Sequence, residues 1–172
     1  MSIPRILFPL AALLALSLQP LTAQNQRDIE AVNQLLDRYA QFEESMDMTG
    51  QSQLMSQDRV WIGAGAGRVT DQAKNMQIQA AQFENNQAAM PGLRWFVDDR
   101  DRLVNFYGSG SVAVASFYRY TTYIIPGDAP PDLAEPLTAT QPIAMTLVLE
   151  KRDGEWKIVH THVSNLVPPP SG

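Results

Sequence analysis

Apolar residues in the first third of the chain recur at helical spacing. Ile29, Val32, Leu36 and Tyr39 fall on one stripe, which Leu35 and Phe42 widen. Arg27, Asp28, Glu30, Asp37, Arg38, Glu43 and Glu44 form the polar side, so the pattern predicts a helix over residues 24–48, broken at Met48-Thr49-Gly50. Thr49 is positioned to cap a short second helix that reaches Ser56 and buries Leu54 and Met55. Val60-Trp61-Ile62 opens a strand. Thr70 reads as the cap of a third helix over 71–89, with Met76, Ala80 and Phe83 inward and Pro91-Gly92 as its end.

From Leu93 the period changes from helical to alternating. Residues 94–97 and 103–107 are strand-like, with the charged run Asp98-Asp99-Arg100-Asp101-Arg102 between them as a kink or turn. Gly108-Ser109-Gly110 is a hairpin turn, and residues 111–125 form a long strand rich in aromatic and β-branched side chains. Residues 126–142 are a proline-rich loop. Residues 143–151 form a strand, Asp153-Gly154 a two-residue turn, and residues 155–164 the last strand. Helices followed by a meander of long strands predict an α+β fold, with helices on one face of a bent sheet.

Composition narrows the function classes. The chain has 172 residues, 45% hydrophobic and 18% charged, which suits one domain with a real core. Net charge is −5, and an isoelectric point near 4.9 argues against nucleic acid, whose phosphates require clustered Lys and Arg. No basic amphipathic run points to a membrane surface. Cysteine is absent, which excludes disulfides, thiolate metal sites and cysteine nucleophiles.

The N-terminus has the layout of a secretory signal. Arg5 precedes an almost wholly apolar run over 6–18, and Gln19-Pro20-Leu21-Thr22-Ala23 leads into polar Gln24. Cleavage is expected after Ala23, although Leu21 stands where a small residue is usual. The run is well short of the roughly 20 residues that span a bilayer. The expectation is a signal peptide over 1–23, a domain over 24–166 and a proline-rich tail over 167–172, in a protein that is periplasmic or secreted.

Several motifs invite chemistry and fall short of it. Gly63, Gly65 and Gly67 are spaced by two, with neither a G-x-G-x-x-G pattern nor a Walker ending, so the run reads as a tight turn. His160 and His162 form an H-x-H pair without a third histidine, so no metal site is expected. No cofactor motif is present, and no cofactor is expected.

Asp153-Gly154-Glu155-Trp156-Lys157-Ile158-Val159-His160-Thr161-His162-Val163-Ser164 resembles the final hairpin of SnoaL-like domains in the nuclear transport factor 2-like superfamily. Its pattern is nearest the association (hub) domain of calcium/calmodulin-dependent protein kinase II, and Ser116–Tyr123 resembles that domain's preceding strand. The resemblance implies a cone, in which a strongly curved antiparallel sheet wraps three helices from the N-terminal half around a cavity. It also implies homodimers through the outer face of the sheet. Hub domains line their pocket with three arginines; of the matching positions here, Arg119 keeps arginine and Leu147 and Val163 do not.

Strand alternation extends this reading. The pocket face is expected to carry Phe117, Arg119, Thr121 and Tyr123; Met145, Leu147 and Leu149; Val159, Thr161 and Val163; with Trp61 and Trp95 as walls. Tyr118, Tyr120, Thr146, Ile158, His160 and His162 take the opposite face, and a bulge in any strand would invert part of the assignment. A buried arginine stays charged and requires a carboxylate, from Asp47, Asp58 or an anionic ligand. Three functions follow: an exported domain that binds a small, partly apolar ligand, anionic where Arg119 holds it; a lyase or isomerase of the ketosteroid-isomerase type with a rim carboxylate or histidine as base; or an assembly module. An acid buried in the cavity within reach of Arg119 would mark the second.

Overall fold

The computed structural model describes residues 11–63, 67–138 and 141–166, with side chains from Asn25 onward. Helix α1 (Ala11–Glu44) presents Val32, Leu35, Leu36 and Tyr39 as its buried stripe. Its backbone begins well before the expected start at Gln24. The first ten residues of the expected signal and the tail over 167–172 lie outside the described residues.

Helix α2 (Met48–Gln53) is capped by Asp47, whose Oδ1 accepts the Gly50 N–H at 2.8 Å. Thr49 is inside the helix, and Leu54 and Met55 are buried just beyond it. Strand β1 (Met55–Ile62) therefore starts five residues before Val60. It turns back into β2 (Arg68–Val69), pairing Trp61 with Val69 across the glycine run, whose middle residues 64–66 are outside the described set. Helix α3 (Gln72–Ala89) is capped by Asp71, which accepts the Lys74 N–H at 3.0 Å, rather than by Thr70. A carboxylate is as good a cap as a hydroxyl, so the choice fell to local chain direction.

The charged run does not break the next strand. β3 (Arg94–Tyr107) is continuous, and residues 101–102 form a bulge marked by Asp101 at φ 55°. A short turn at Gly108–Gly110 leads to β4 (Val112–Ile124). The proline-rich segment contains a fourth helix, α4 (Pro131–Thr138), which opens on proline, a residue suited to the first helical position. β5 (Ile143–Arg152) and β6 (Glu155–Asn165) complete the sheet. Their turn places Asp153 and Gly154 at φ 52° and 86°, both left-handed, as a tight hairpin requires.

The strand order is β2-β1-β6-β5-β4-β3. All neighbours are antiparallel except β1 and β6, which run parallel, so the sheet is mixed. It is curved without closing into a barrel. Ala113, Ala115, Phe117, Met145, Leu147, Leu149, Trp156 and Ile158 meet the α1 stripe in the main core. A second cluster, Met90, Leu93 and Trp95, lies beneath Ala129 and Leu137 near α4.

The alternation holds along β4 and β5 and fails once in β6. Leu149 pairs with Ile158 and Val148 with His160, so Val159 is an extra residue. Ile158 consequently faces the core at 0% exposure, while Val159 leaves the inner face. That corrects both assignments and restores the expected parity from His160 onward.

Candidate functional site

A cavity of about 370 Å³ opens between the inner face of the sheet and helices α1 and α3. Tyr39 and Glu43, one helical turn apart, form its α1 side. Asn75, Gln79, Gln82, Phe83 and Asn86 line the α3 side, so the amide-rich helix gives the cavity a polar wall. The sheet contributes Trp61, Trp95, Arg119, Thr121, Tyr123, Ile143, Met145 and Val163. Phe83, Trp95 and Tyr123 stack in sequence, with ring centroids 5.0 Å and 6.2 Å apart.

Of the pocket residues expected from sequence, Arg119, Trp61, Trp95, Thr121, Tyr123, Met145 and Val163 line this cavity. Phe117 and Leu147 share the inner face but lie beneath it in the core, and Thr161 is buried at 0% exposure. His160 and His162 lie on the outer side of the sheet. Burial, His162 and Arg59 hold the His160 imidazole below its usual pKa. No group of three potential metal ligands exists among the described residues.

Arg119 is almost wholly buried and finds carboxylates other than those expected. Asp99 takes it in a fork, Nε to Oδ1 at 2.7 Å and Nη2 to Oδ2 at 2.8 Å. Glu43 Oε2 accepts Nη1 at 2.6 Å. The guanidinium also sits 5.1 Å from the centroid of the Tyr39 ring. Asp47 is occupied as the α2 cap, and Asp58 pairs with Arg152 on the surface. Asp99 itself is fully buried and lies 3.7 Å from Arg102.

One positive charge shared between two acids raises both pKa values, which favours the charged form of Arg119 and the neutral form of Glu43. Burial alone would lower the Arg119 pKa, but Glu43 and Asp99 outweigh it and hold the guanidinium above its ordinary value. Glu43 is raised: burial dominates, Asp99 adds repulsion, and the share of Arg119 it receives is too small to compensate. A quarter of its side chain nevertheless remains open, on the cavity side. The Tyr39 and Tyr123 phenols are also raised, chiefly by burial, and so remain proton donors at neutral pH.

The sequence profile of the SnoaL-like domain matches residues 32–168, most of the chain and nearly all of the sheet and helices described above. The chain belongs to the SnoaL-like domain family. No curated protein matches this SnoaL-like domain in sequence. Among solved structures, it is similar to a nuclear transport factor 2-like protein with a cystatin-like fold from Novosphingobium aromaticivorans, with TM-score 0.67, 18% identity, and coverage of 89% of this chain and 92% of that one. A candidate dehydratase of the same family from Streptomyces avermitilis aligns at TM-score 0.63 and 16% identity, over 84% and 99% of the two chains. A candidate scytalone dehydratase from Novosphingobium aromaticivorans aligns at 0.64 and 12%, over 88% and 92%. At these identities the likeness concerns the fold of the SnoaL-like domain alone.

Two residues of the site escaped the sequence reading. Glu43 was placed on the wet side of α1, although it follows Tyr39 by four residues and so shares its face. Asp99 was assigned to a turn, although it continues the inward parity of Trp95 and Val97.

Proposed function

We propose that this SnoaL-like domain binds a small, partly apolar molecule in the cavity and transfers a proton on it, as a lyase or isomerase, with Glu43 as the base. The observation that carries this reading is a carboxyl in the cavity wall whose pKa is raised by burial and whose position is held by Arg119. A raised carboxyl is closer to neutral and better matched to proton transfer than an ordinary one. Arg119 grips Oε2, and a carboxylate has a second oxygen to offer a ligand. The Arg119 fork, by contrast, is filled by protein, which favours a positioning role for it over direct capture of an anion.

The step balances simply. Glu43 takes a proton from carbon next to a carbonyl, and the C–H electron pair moves toward the carbonyl oxygen. Tyr39 or Tyr123 donates a hydrogen bond to that oxygen as it gains charge. Return of the proton to another carbon completes an isomerisation. Departure of a β-hydroxyl with that proton, as water, completes an elimination, the reaction type named for two of the similar structures.

The test is deuterium incorporation from heavy water into a panel of small cyclic and aryl ketones, followed by proton NMR. Exchange by the intact protein and its loss in Glu43→Gln, with ligand binding kept, is the expected result; exchange that persists in Glu43→Gln refutes the role. Export and self-association belong to the same proposal. Export predicts a mature N-terminus at Gln24 in the periplasm or medium, and a homodimer predicts a native mass twice that of the mature chain.

A further inference from the structure

Arg59 on β1 is 1% exposed, among the most deeply buried side chains of the fold. Its surroundings are neutral. Nε donates to Thr161 Oγ1 at 3.2 Å, and Nη1 donates to Asn75 Oδ1 at 3.3 Å and lies 3.0 Å from Met55 Sδ. Nη2 meets no acceptor at hydrogen-bond geometry among the described residues, and the Tyr39 phenol, the other polar group beside the guanidinium, is neutral as well. Among the described residues no carboxylate is within ion-pair distance of it, whereas Arg102 and Arg119 each hold two. A guanidinium does not shed its proton, so the fold maintains a buried, uncompensated cation, an arrangement that ordinarily opposes stability.

The position of this cation is informative. Trp61, two residues on and on the same side of β1, lines the cavity, as do Asn75 and Tyr39. Asn75 touches both the cavity and the guanidinium, and its Oδ1 is shared with Gln79 Nε2 at 2.9 Å, the shorter of the two contacts. Arg59 thus lies one side chain below the cavity floor, behind a long bond to a neutral amide. At the Glu43 wall, by contrast, the guanidinium is matched: Arg119 holds both Glu43 and Asp99. The two sides of the cavity thus differ: carboxylates paired with Arg119 at one, and a cation without a carboxylate behind the other.

We infer that Arg59 is the specificity-determining group of the cavity, and that the ligand carries a carboxylate, which replaces the Asn75 contact on the guanidinium. This rests on the cavity being the ligand site. It assigns the substrate class and the orientation: the carboxylate goes to the Arg59 end, the reacting carbon to Glu43. A carboxylate supplies the charge-assisted partner that Asn75 does not.

The probes are cinnamate and its neutral isostere cinnamamide, titrated by calorimetry. The intact protein is expected to bind cinnamate at least tenfold more tightly, on the order of one charge-assisted contact. Arg59→Met should abolish that preference and leave the melting temperature of the ligand-free protein equal or higher, because it removes an unpaired charge. Arg59→Gln, which keeps hydrogen bonds to Thr161 and Asn75, should lose the preference as well and serves if the methionine variant does not fold. Glu43→Gln should keep it, so loss of turnover and loss of anion selectivity are separately readable. Equal or undetectable binding of the two probes by the intact protein overturns the inference. So does a preference that survives removal of the Arg59 charge while the protein is merely less stable.

Discussion

Arg119, Asp99 and Glu43 form a unit in which each side chain is costly without the others. Arg119→Met leaves two carboxylates facing each other in a buried wall, and the expected loss of unfolding free energy is about 3–5 kcal/mol, measurable by denaturant titration. Glu43→Gln costs far less, because the ionised carboxyl was already disfavoured there. The pH dependence follows from the sign of the shift. Glu43 binds its proton more tightly in the folded chain than in the unfolded one, so its contribution to stability falls as pH rises from the ordinary carboxylate range through its raised folded value. Melting curves of the parent and Glu43→Gln should therefore diverge in that direction, with the parent losing ground as pH increases. If Glu43 is the base, the acid limb of the rate profile lies above the usual carboxylate range, since the ionised form is the active one.

The elements show which parts of the fold were legible beforehand. The closing hairpin is tied to α1 by Asp28, which accepts from Lys151 Nζ at 2.6 Å and from Trp156 Nε1 at 3.3 Å. Asp28→Ala should cost about 1–3 kcal/mol, because the buried indole N–H loses its acceptor, and near-ultraviolet dichroism of Trp156 should report the loosening. Periodicity found α1, α3 and the long strands, and alternation, phased by the resemblance to hub domains, put Phe117, Arg119, Met145 and Leu147 on the inner face. What it could not supply were the irregularities in β1, β3 and β6. An extra residue at Val159 or at residues 101–102 is decided by the partner strand, so nothing local to β6 or β3 announces it. The parallel pairing of β1 with β6 is likewise a property of topology. Arg59 is different: the sequence pattern opens this strand at Val60, one residue after it, so its shared parity with Trp61 went unread.

At the scale of the whole molecule, the outer face of the sheet carries exposed Phe96, Leu103, Tyr107 and Tyr118. If two copies pair there, Tyr118→Asp should convert a dimeric native mass to a monomeric one without altering cinnamate binding, because the cavity lies on the other face.

The parallel seam between β1 and β6 has a further consequence for how the chain acquires its shape. Ser56 to Ile158 and Arg59 to Thr161 are contacts across 102 residues, and β1 has no other long strand beside it. Closing so long a loop is entropically expensive and is reimbursed late. If the β3–β6 meander forms while β1 is still detached, the cavity floor is completed at the end of folding. A compound that settles on that floor should therefore slow unfolding and leave the folding rate nearly untouched, which stopped-flow chevrons with and without cinnamate would display.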